Sequence, residues 1–363
     1  MQHIITAYLE GGGRGVITVA EARRLGCGPP VVRAMERSRL ILRVARGVYV
    51  SAKEFNPPRD HPAAADVYAL QRHRHLLRLD ALLRSYGDKV AASHQSAVLA
   101  WGLPTQHASL ERVHLIHVPT GRTARRFDAF TIHTCEVEDV VVTHQGRRVV
   151  TAALAVIGQA ISVGVMPGVA AVDAALVKKL VTRPELSDML QRLQRTPRLS
   201  LARTAVSLAD GLAESPGETR LRLLLMKLGI MFLAQHWVCT DSGNYFRVDF
   251  YLPELGVVLE YDGTVKYGDG SSRPAWNTSG PDQDRGRSRA GRSQDAVSAG
   301  RQALVAEKAR EDELRLTGFG VGRITAADLT GPRVEAVIKN ARRQAQPRAL
   351  RRPAAAPAWA ESR

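Results

Sequence analysis

The stretch Tyr245–Asp262 limits the possible folds of this chain more than any other. Along Tyr245–Leu252, strand alternation sets Phe246, Val248, Phe250 and Leu252 on one face and Asp249 on the other. Pro253-Glu254-Leu255-Gly256 can reverse the chain. The run that follows, Val257–Asp262, is apolar enough for a buried central strand, yet it carries Glu260 and Asp262 two residues apart and so on one face. Three carboxylates can therefore converge across a hairpin. Such a grouping is costly, because like charges raise one another's pKa and a desolvated carboxylate tends to neutralise. A hard divalent ion, Mg2+ (or Mn2+), offsets that cost: it takes oxygen ligands, keeps several waters and can activate one of them against a phosphodiester. The chemistry implied is metal-assisted hydrolysis.

The flanking sequence fits an α/β domain over about residues 211–335. Its pattern predicts a helix over Pro216–Leu228, the two strands above, a helix over Ala303–Thr317 and a strand over Gly320–Ile324. Residues 268–300, rich in Gly, Ser, Arg and Asp without an apolar period, are expected to be a disordered insertion. Ser215-Pro216-Gly217-Glu218 has capping-box spacing with Pro at the first helical position, and a capping Glu218 can still face the carboxylates.

With 363 residues the chain is too long for one ordinary domain. Its formal charge of +16 attracts polyanions, nucleic acid first and an anionic membrane surface second; eight Lys among 51 cations also show an Arg bias that a GC-rich genome would impose. In residues 1–55, Thr18 reads as the N-cap of a short helix that Gly26 stops, and a second helix spans Pro30–Ser38. Leu40–Val44 and Gly47–Val50 then form a hairpin hinged at Ala45-Arg46-Gly47. Helices followed by a hairpin make a winged helix-turn-helix, with residues 51–65 as a linker. Residues 66–210 read as an α/β connecting domain: a helix over Val67–Tyr86, another over Ser93–Trp101, a strand over Val113–Val118 and further helices. The tail 342–363 reads as basic and disordered. The uncharged run Val149–Val172 is broken by Gly158, Gly164 and Met166-Pro167-Gly168, which predicts two buried helices either side of Pro167 and no membrane span.

Cys27, Cys135 and Cys239 have no C-x-x-C spacing, and no signal sequence is visible, so free thiols in the cytoplasm are expected. Gly11-Gly12-Gly13 lacks the Lys-Ser/Thr of a phosphate loop. His94, His114, His117, His133 and His144 lack metal-ligand spacing on any recognisable helix and read as structural.

Two resemblances sharpen these readings. The first rests on three segments: Ser215-Pro-Gly-Glu218-x-Arg220-Leu-Arg222, Arg247-Val-Asp249 through Glu260-Tyr-Asp262-Gly263, and Glu307-Lys308-x-Arg310-x-Asp312-x-Leu314-Arg315-x-x-Gly318. Together they resemble the nuclease-like domains grouped with very-short-patch-repair (Vsr-like) endonucleases, in the PD-(D/E)xK restriction-endonuclease-like superfamily. The resemblance implies Asp249 and Glu260 as metal ligands and Glu218 as an auxiliary acid. The superfamily's lysine position holds Asp262, as ligand or water orienter, and Lys266 or Lys308 would supply the missing cation. The second rests on Gly15-Val-Ile-Thr18, Ala22, Gly26 and Ser38-Arg39-Leu40-x-x-Arg43-x-x-Arg46-Gly47-Val48-Tyr49, which resemble the winged helix of AbiEi-type antitoxins of type IV toxin-antitoxin systems. It implies DNA binding, with Arg33 and Arg37 one turn apart on the second helix and Arg39, Arg43 and Arg46 on or near the wing. The expectation is a multidomain α/β protein that grips double-stranded DNA and hydrolyses it with Mg2+, in DNA repair or phage defence. The alternative is an antitoxin-type regulator with a cognate toxin and an inactive nuclease-like domain.

Overall fold

The computed structural model describes residues 1–105, 108–119, 123–263 and 291–350. They form two compact units, Met1–Pro216 and Gly217–Arg363.

The first unit opens with α1 (Gln2–Glu10), β1 (Val16–Thr18), α2 (Val19–Arg24), α3 (Pro29–Arg37), β2 (Ile41–Ala45) and β3 (Val48–Ser51). The expected cap is present: Thr18 Oγ1 accepts the Glu21 N–H at 3.2 Å while the Glu21 carboxylate accepts the Thr18 N–H at 2.8 Å. The strands make a three-stranded antiparallel sheet in the order β1-β3-β2, whose hairpin turns at Gly47 with φ +76°. Residues 51–65 are more ordered than a linker, holding α4 (Ala52–Phe55), capped by Ser51, and a 3₁₀ turn over Pro62–Ala64. The next helix, α5 (Val67–Tyr86), has its expected bounds and is capped by Asp66, whose Oδ1 accepts the Ala69 N–H. Its Leu77 and Ala81 pack with Val16, Val48 and Val50 on one side of the small sheet, so residues 1–55 share part of their packing with the following segment.

Around α5 lie β4 (Val90–Ala92), α6 (His94–Ala100), β5 (Val113–His117), β6 (Arg125–Arg126), β7 (Phe130–His133), β8 (Val141–His144) and β9 (Arg147–Val150). These strands form a mixed sheet in the order β6-β7-β5-β4-β9-β8. Four helices complete the unit: α7 (Ala152–Val163), α8 (Val165–Val177), α9 (Arg183–Arg192) and α10 (Leu199–Leu208). The break in the apolar run falls at Gly164, with φ +120°, and Pro167 sits in the first turn of α8, where its missing N–H costs nothing. No helix among the described residues is long and apolar enough to cross a membrane.

The second unit runs α11 (Pro216–Lys227), β10 (Leu233–Cys239), β11 (Tyr245–Leu252), β12 (Val257–Asp262), α12 (Gly291–Leu316), β13 (Gly320–Thr325) and α13 (Gly331–Gln344). The sheet order is β10-β11-β12-β13, antiparallel except for the parallel pair β12–β13. On one face Phe250, Leu252, Val257 and Leu259 pack with Leu221 and Leu225 of α11 and Val334, Ile338 and Ala341 of α13. On the other, Val248, Tyr251 and Val258 pack with Val238, Val321 and Leu314 of α12. The expected single face of Phe246, Val248, Phe250 and Leu252 is therefore corrected: Phe246 and Val248 lie on the α12 side, Phe250 and Leu252 on the α11 side. The phase slips at Asp249. The neighbouring strand slips at the same level, where Gln235 takes φ +49° between the pairs Ala234↔Phe250 and His236↔Val248. Two registered irregularities keep the strands paired on either side and free one residue of each from the pleat. The helix α12 begins at Gly291, inside the expected insertion, and a 3₁₀ turn over Pro347–Ala349 with Ala349 buried extends order past residue 342. The rest of the expected insertion and tail lies outside the described residues.

Candidate functional site

The slip at Asp249 builds the site. With its side chain out of the pleat, Asp249 Oδ2 accepts the Tyr261 N–H of β12 at 2.8 Å, and Oδ1 lies 3.3 Å from the Gln235 amide nitrogen. The same amide donates to Glu218 Oε2 at 2.9 Å, so Gln235 bridges two buried carboxylates. Glu218 reaches this position from the first turn of α11, which comes close because residue 217 is glycine: a Cβ there would overlap the Tyr261 ring.

Glu260 arrives from β12 and meets Arg310 of α12, whose guanidinium lies 2.5 Å from Oε1. The Glu260 carboxyl is raised to about 8: burial is the main cause, Arg310 opposes it, and the charges of Asp249 and Glu307 add to it. Arg310 also donates to the Arg247 carbonyl at 3.2 Å and pairs with Glu307 at 3.4 Å. Arg323 of β13 continues the network, 2.9 Å from both Glu307 and Glu311.

The expected residues separate accordingly. Glu218, Asp249 and Glu260 belong to one polar centre, whereas Asp262 is exposed at the end of β12. Lys308 is exposed; it lies two residues from Arg310 and hence on a different side of α12, so the cation set against Glu260 is Arg310. Lys266 lies outside the described residues. Gln235 and Arg310 are functional candidates to which sequence reasoning gave no role. Arg310 carried a signal, a cation three residues after Glu307 on one helical face; Gln235 carried none, because its strand was not predicted.

Two of the expected carboxylates could hold a hard cation. Asp249 and Glu260 supply two carboxylates from adjoining strands, the number Mg2+ commonly takes from a protein before waters and phosphate fill its octahedron. Among the described residues, the one group of three potential ligands with donor atoms within 4.8 Å of one another is a different one, His94, His114 and His133 in the first unit.

The second candidate surface is basic. Arg33 and Arg37 are exposed on α3, Arg39 is exposed at φ +55° just after it, and Arg43 and Arg46 are exposed along β2 and its turn. Beneath them Val32, Met35, Ile41 and Tyr49 join Ile5, Leu9 and Ile17 in a separate small core, which fixes the arginines on a rigid support. No protein-family model matches the sequence, and no curated protein is significantly similar to it.

Proposed function

We propose that this chain binds double-stranded DNA and cleaves it in the manner of PD-(D/E)xK endonucleases, with residues 1–55 as a winged helix and the second unit as the nuclease. The observation that carries the reading is the placing of Asp249 and Glu260 on adjoining strands, with Asp249 Oδ2 accepting the N–H of Tyr261, the residue next to Glu260, at 2.8 Å. The order helix, three antiparallel strands, helix, parallel strand agrees with it. Asp249 and Glu260 would hold Mg2+, which supplies an activated water and polarises the phosphate when bound. Gln235 fixes the Asp249 and Glu218 carboxylates by donating to both. Arg310, a planar donor beside Glu260, offers its remaining N–H groups to phosphate oxygens.

The test is nicking of supercoiled plasmid with Mg2+. Wild type is expected to nick, and Asp249→Ala and Glu260→Ala to lose at least two orders of magnitude in rate. A wild type that leaves the plasmid intact, or equal nicking by Asp249→Ala, refutes hydrolysis. A second reading, an antitoxin-type regulator that binds DNA and a toxin without cutting, is favoured by one observation: the carboxylates are already satisfied by Tyr261 N–H, Gln235 and Arg310. It predicts a footprint on DNA that neither chelation of Mg2+ nor Glu260→Ala alters.

A further inference from the structure

We propose that His94, His114 and His133 form a binding site for a zinc-class divalent cation in the first unit. The three come from different elements: the first residue of α6, the second of β5 and the last of β7. The parallel pairing of β5 with β7 sets His114 beside Thr131 and Ile116 beside His133, bringing two rings to the same face of the sheet. His114 Nδ1 and His133 Nε2 are 2.8 Å apart, and the His94 ring stacks on His133 with centroids 4.0 Å apart. Three half-buried imidazoles and no carboxylate make a nitrogen-only donor set, which suits Zn2+ and leaves a fourth position for water or an anion.

The surroundings of the rings decide which nitrogens are available. His94 Nδ1 lies 3.0 Å from Ser93 Oγ, which leaves Nε2 as its ligand atom. His114 Nε2 lies 2.7 Å from the Gln95 amide nitrogen, and the Gln95 carbonyl oxygen accepts from Ser162 Oγ at 3.1 Å. Ser162 has a second acceptor, the Gln159 carbonyl at 3.2 Å, so the Gln95 amide can adopt either orientation without losing a bond. With its carbonyl oxygen toward His114, Gln95 accepts the Nε2–H proton, and Nδ1 then presents a lone pair beside that of His133 Nε2. Two lone pairs at this separation repel unless a cation lies between them. This is the outer-shell arrangement that orients metal-bound histidines.

Two backbone features support a site built for His94. It holds φ +48° at the start of a helix, an uncommon conformation for a residue with a side chain. The helix α7 passes it at Gly158, where a Cβ would stand 3.2 Å from both Cα and Cγ of His94, so the glycine lets α7 approach the ring.

The experiment uses full-length protein made without a polyhistidine tag, stripped with chelator and titrated with Co2+, then displaced with Zn2+. Wild type is expected to bind one Co2+ with the visible bands of a four-coordinate nitrogen site, and Zn2+ to erase them and raise the melting temperature. His133→Asn should lose saturable binding and the thermal shift. His144→Asn, outside the cluster, should keep both. Gln95→Ala retains all three ligands and should weaken binding about 10- to 100-fold, which keeps the proposal testable if His133→Asn does not fold. Absence of saturable Co2+ and Zn2+ binding by folded wild type, or equal binding by His133→Asn, overturns it.

Discussion

His75 shows how a single buried side chain adds to the acid sensitivity of the first unit. It is fully buried on α5; Nδ1–H donates to the Leu110 carbonyl at 2.8 Å, and Nε2 meets Ser96 Oγ at 2.8 Å. Ser96 Oγ in turn accepts the His114 N–H at 2.8 Å, so its own proton is free to point at His75 and keep the ring neutral. Burial lowers the His75 pKa to about 4, the hydrogen bond to Leu110 opposing and the charge of Arg78 assisting. The unfolded chain takes up this proton near pH 6.5 and the folded protein only near 4, so stability is full above 6.5 and falls as pH drops through that window. The loss is on the order of 3 kcal/mol. Urea unfolding should show it as one proton's share of a slope between pH 6.5 and 4 to which His94, His114 and His133 also contribute, so His75→Gln should make the slope shallower without abolishing it, and the His75 ring should titrate by NMR near pH 4. A ring that titrates at the ordinary histidine value would contradict the account. Gln235 makes the matching case in the second unit: it holds a left-handed φ, at a cost of about 1–3 kcal/mol, and its amide satisfies Glu218 and Asp249. Gln235→Ala removes the shared donor from two buried acids, so we expect a loss of about 1–3 kcal/mol in denaturant unfolding, together with reduced nicking if the nuclease reading holds.

At the scale of elements, the second unit depends on how closely α11 approaches β12. Gly217 permits that approach, and a methyl group there would strike the Tyr261 ring. Gly217→Ala should force the helix outward, cost about 1–3 kcal/mol as overpacking does, and draw Glu218 away from Gln235. Unfolding of the variant measures the first effect; a gain in stability, as expected of Gly→Ala in an open helix, would show that the contact is absent. The same elements show what the sequence makes legible. Val67–Tyr86 and Tyr245–Leu252 are found at their predicted bounds, because each is long, periodic and marked by a stop: Asp66 and Gly87 for the helix, Pro253 for the strand. The strand Leu233–Cys239 is hidden, because the Gln235 phase slip puts Ala234 on one face and Val238 on the other, and no strict alternation survives. The slip also defeats the face assignment in β11, although the conclusion that Asp249 leaves the apolar side stands on the observed hydrogen bonds. The helix Gly331–Gln344 buries Val334, Ile338 and Ala341 at helical spacing, yet no helix is expected there, and its last residues, Arg342 and Arg343 among them, read as the start of the basic tail. The histidine cluster is illegible for a simpler reason, since strand pairing between residues far apart in sequence creates it.

For the whole molecule, the question is whether the charge of +16 is a diffuse field or a surface with an address. An Arg-rich composition would yield the former: every exposed cation would contribute alike, and binding to DNA would depend on net charge alone. A dedicated surface would concentrate the counterion release on the residues that touch phosphate. Salt dependence separates the two. Each lost phosphate contact lowers the slope of log affinity against log salt by about 0.9, so Arg33→Ala combined with Arg37→Ala should flatten it by about 2. Arg195→Ala combined with Arg203→Ala removes the same charge from exposed positions elsewhere in the first unit and should leave the slope unchanged. Fluorescence anisotropy on a labelled duplex from roughly 50 to 200 mM salt covers the range in which such slopes are steep. If both double variants flatten the slope equally, the arginines of α3 have no special place in DNA binding; if only the first does, the small N-terminal sheet and its helices hold the duplex.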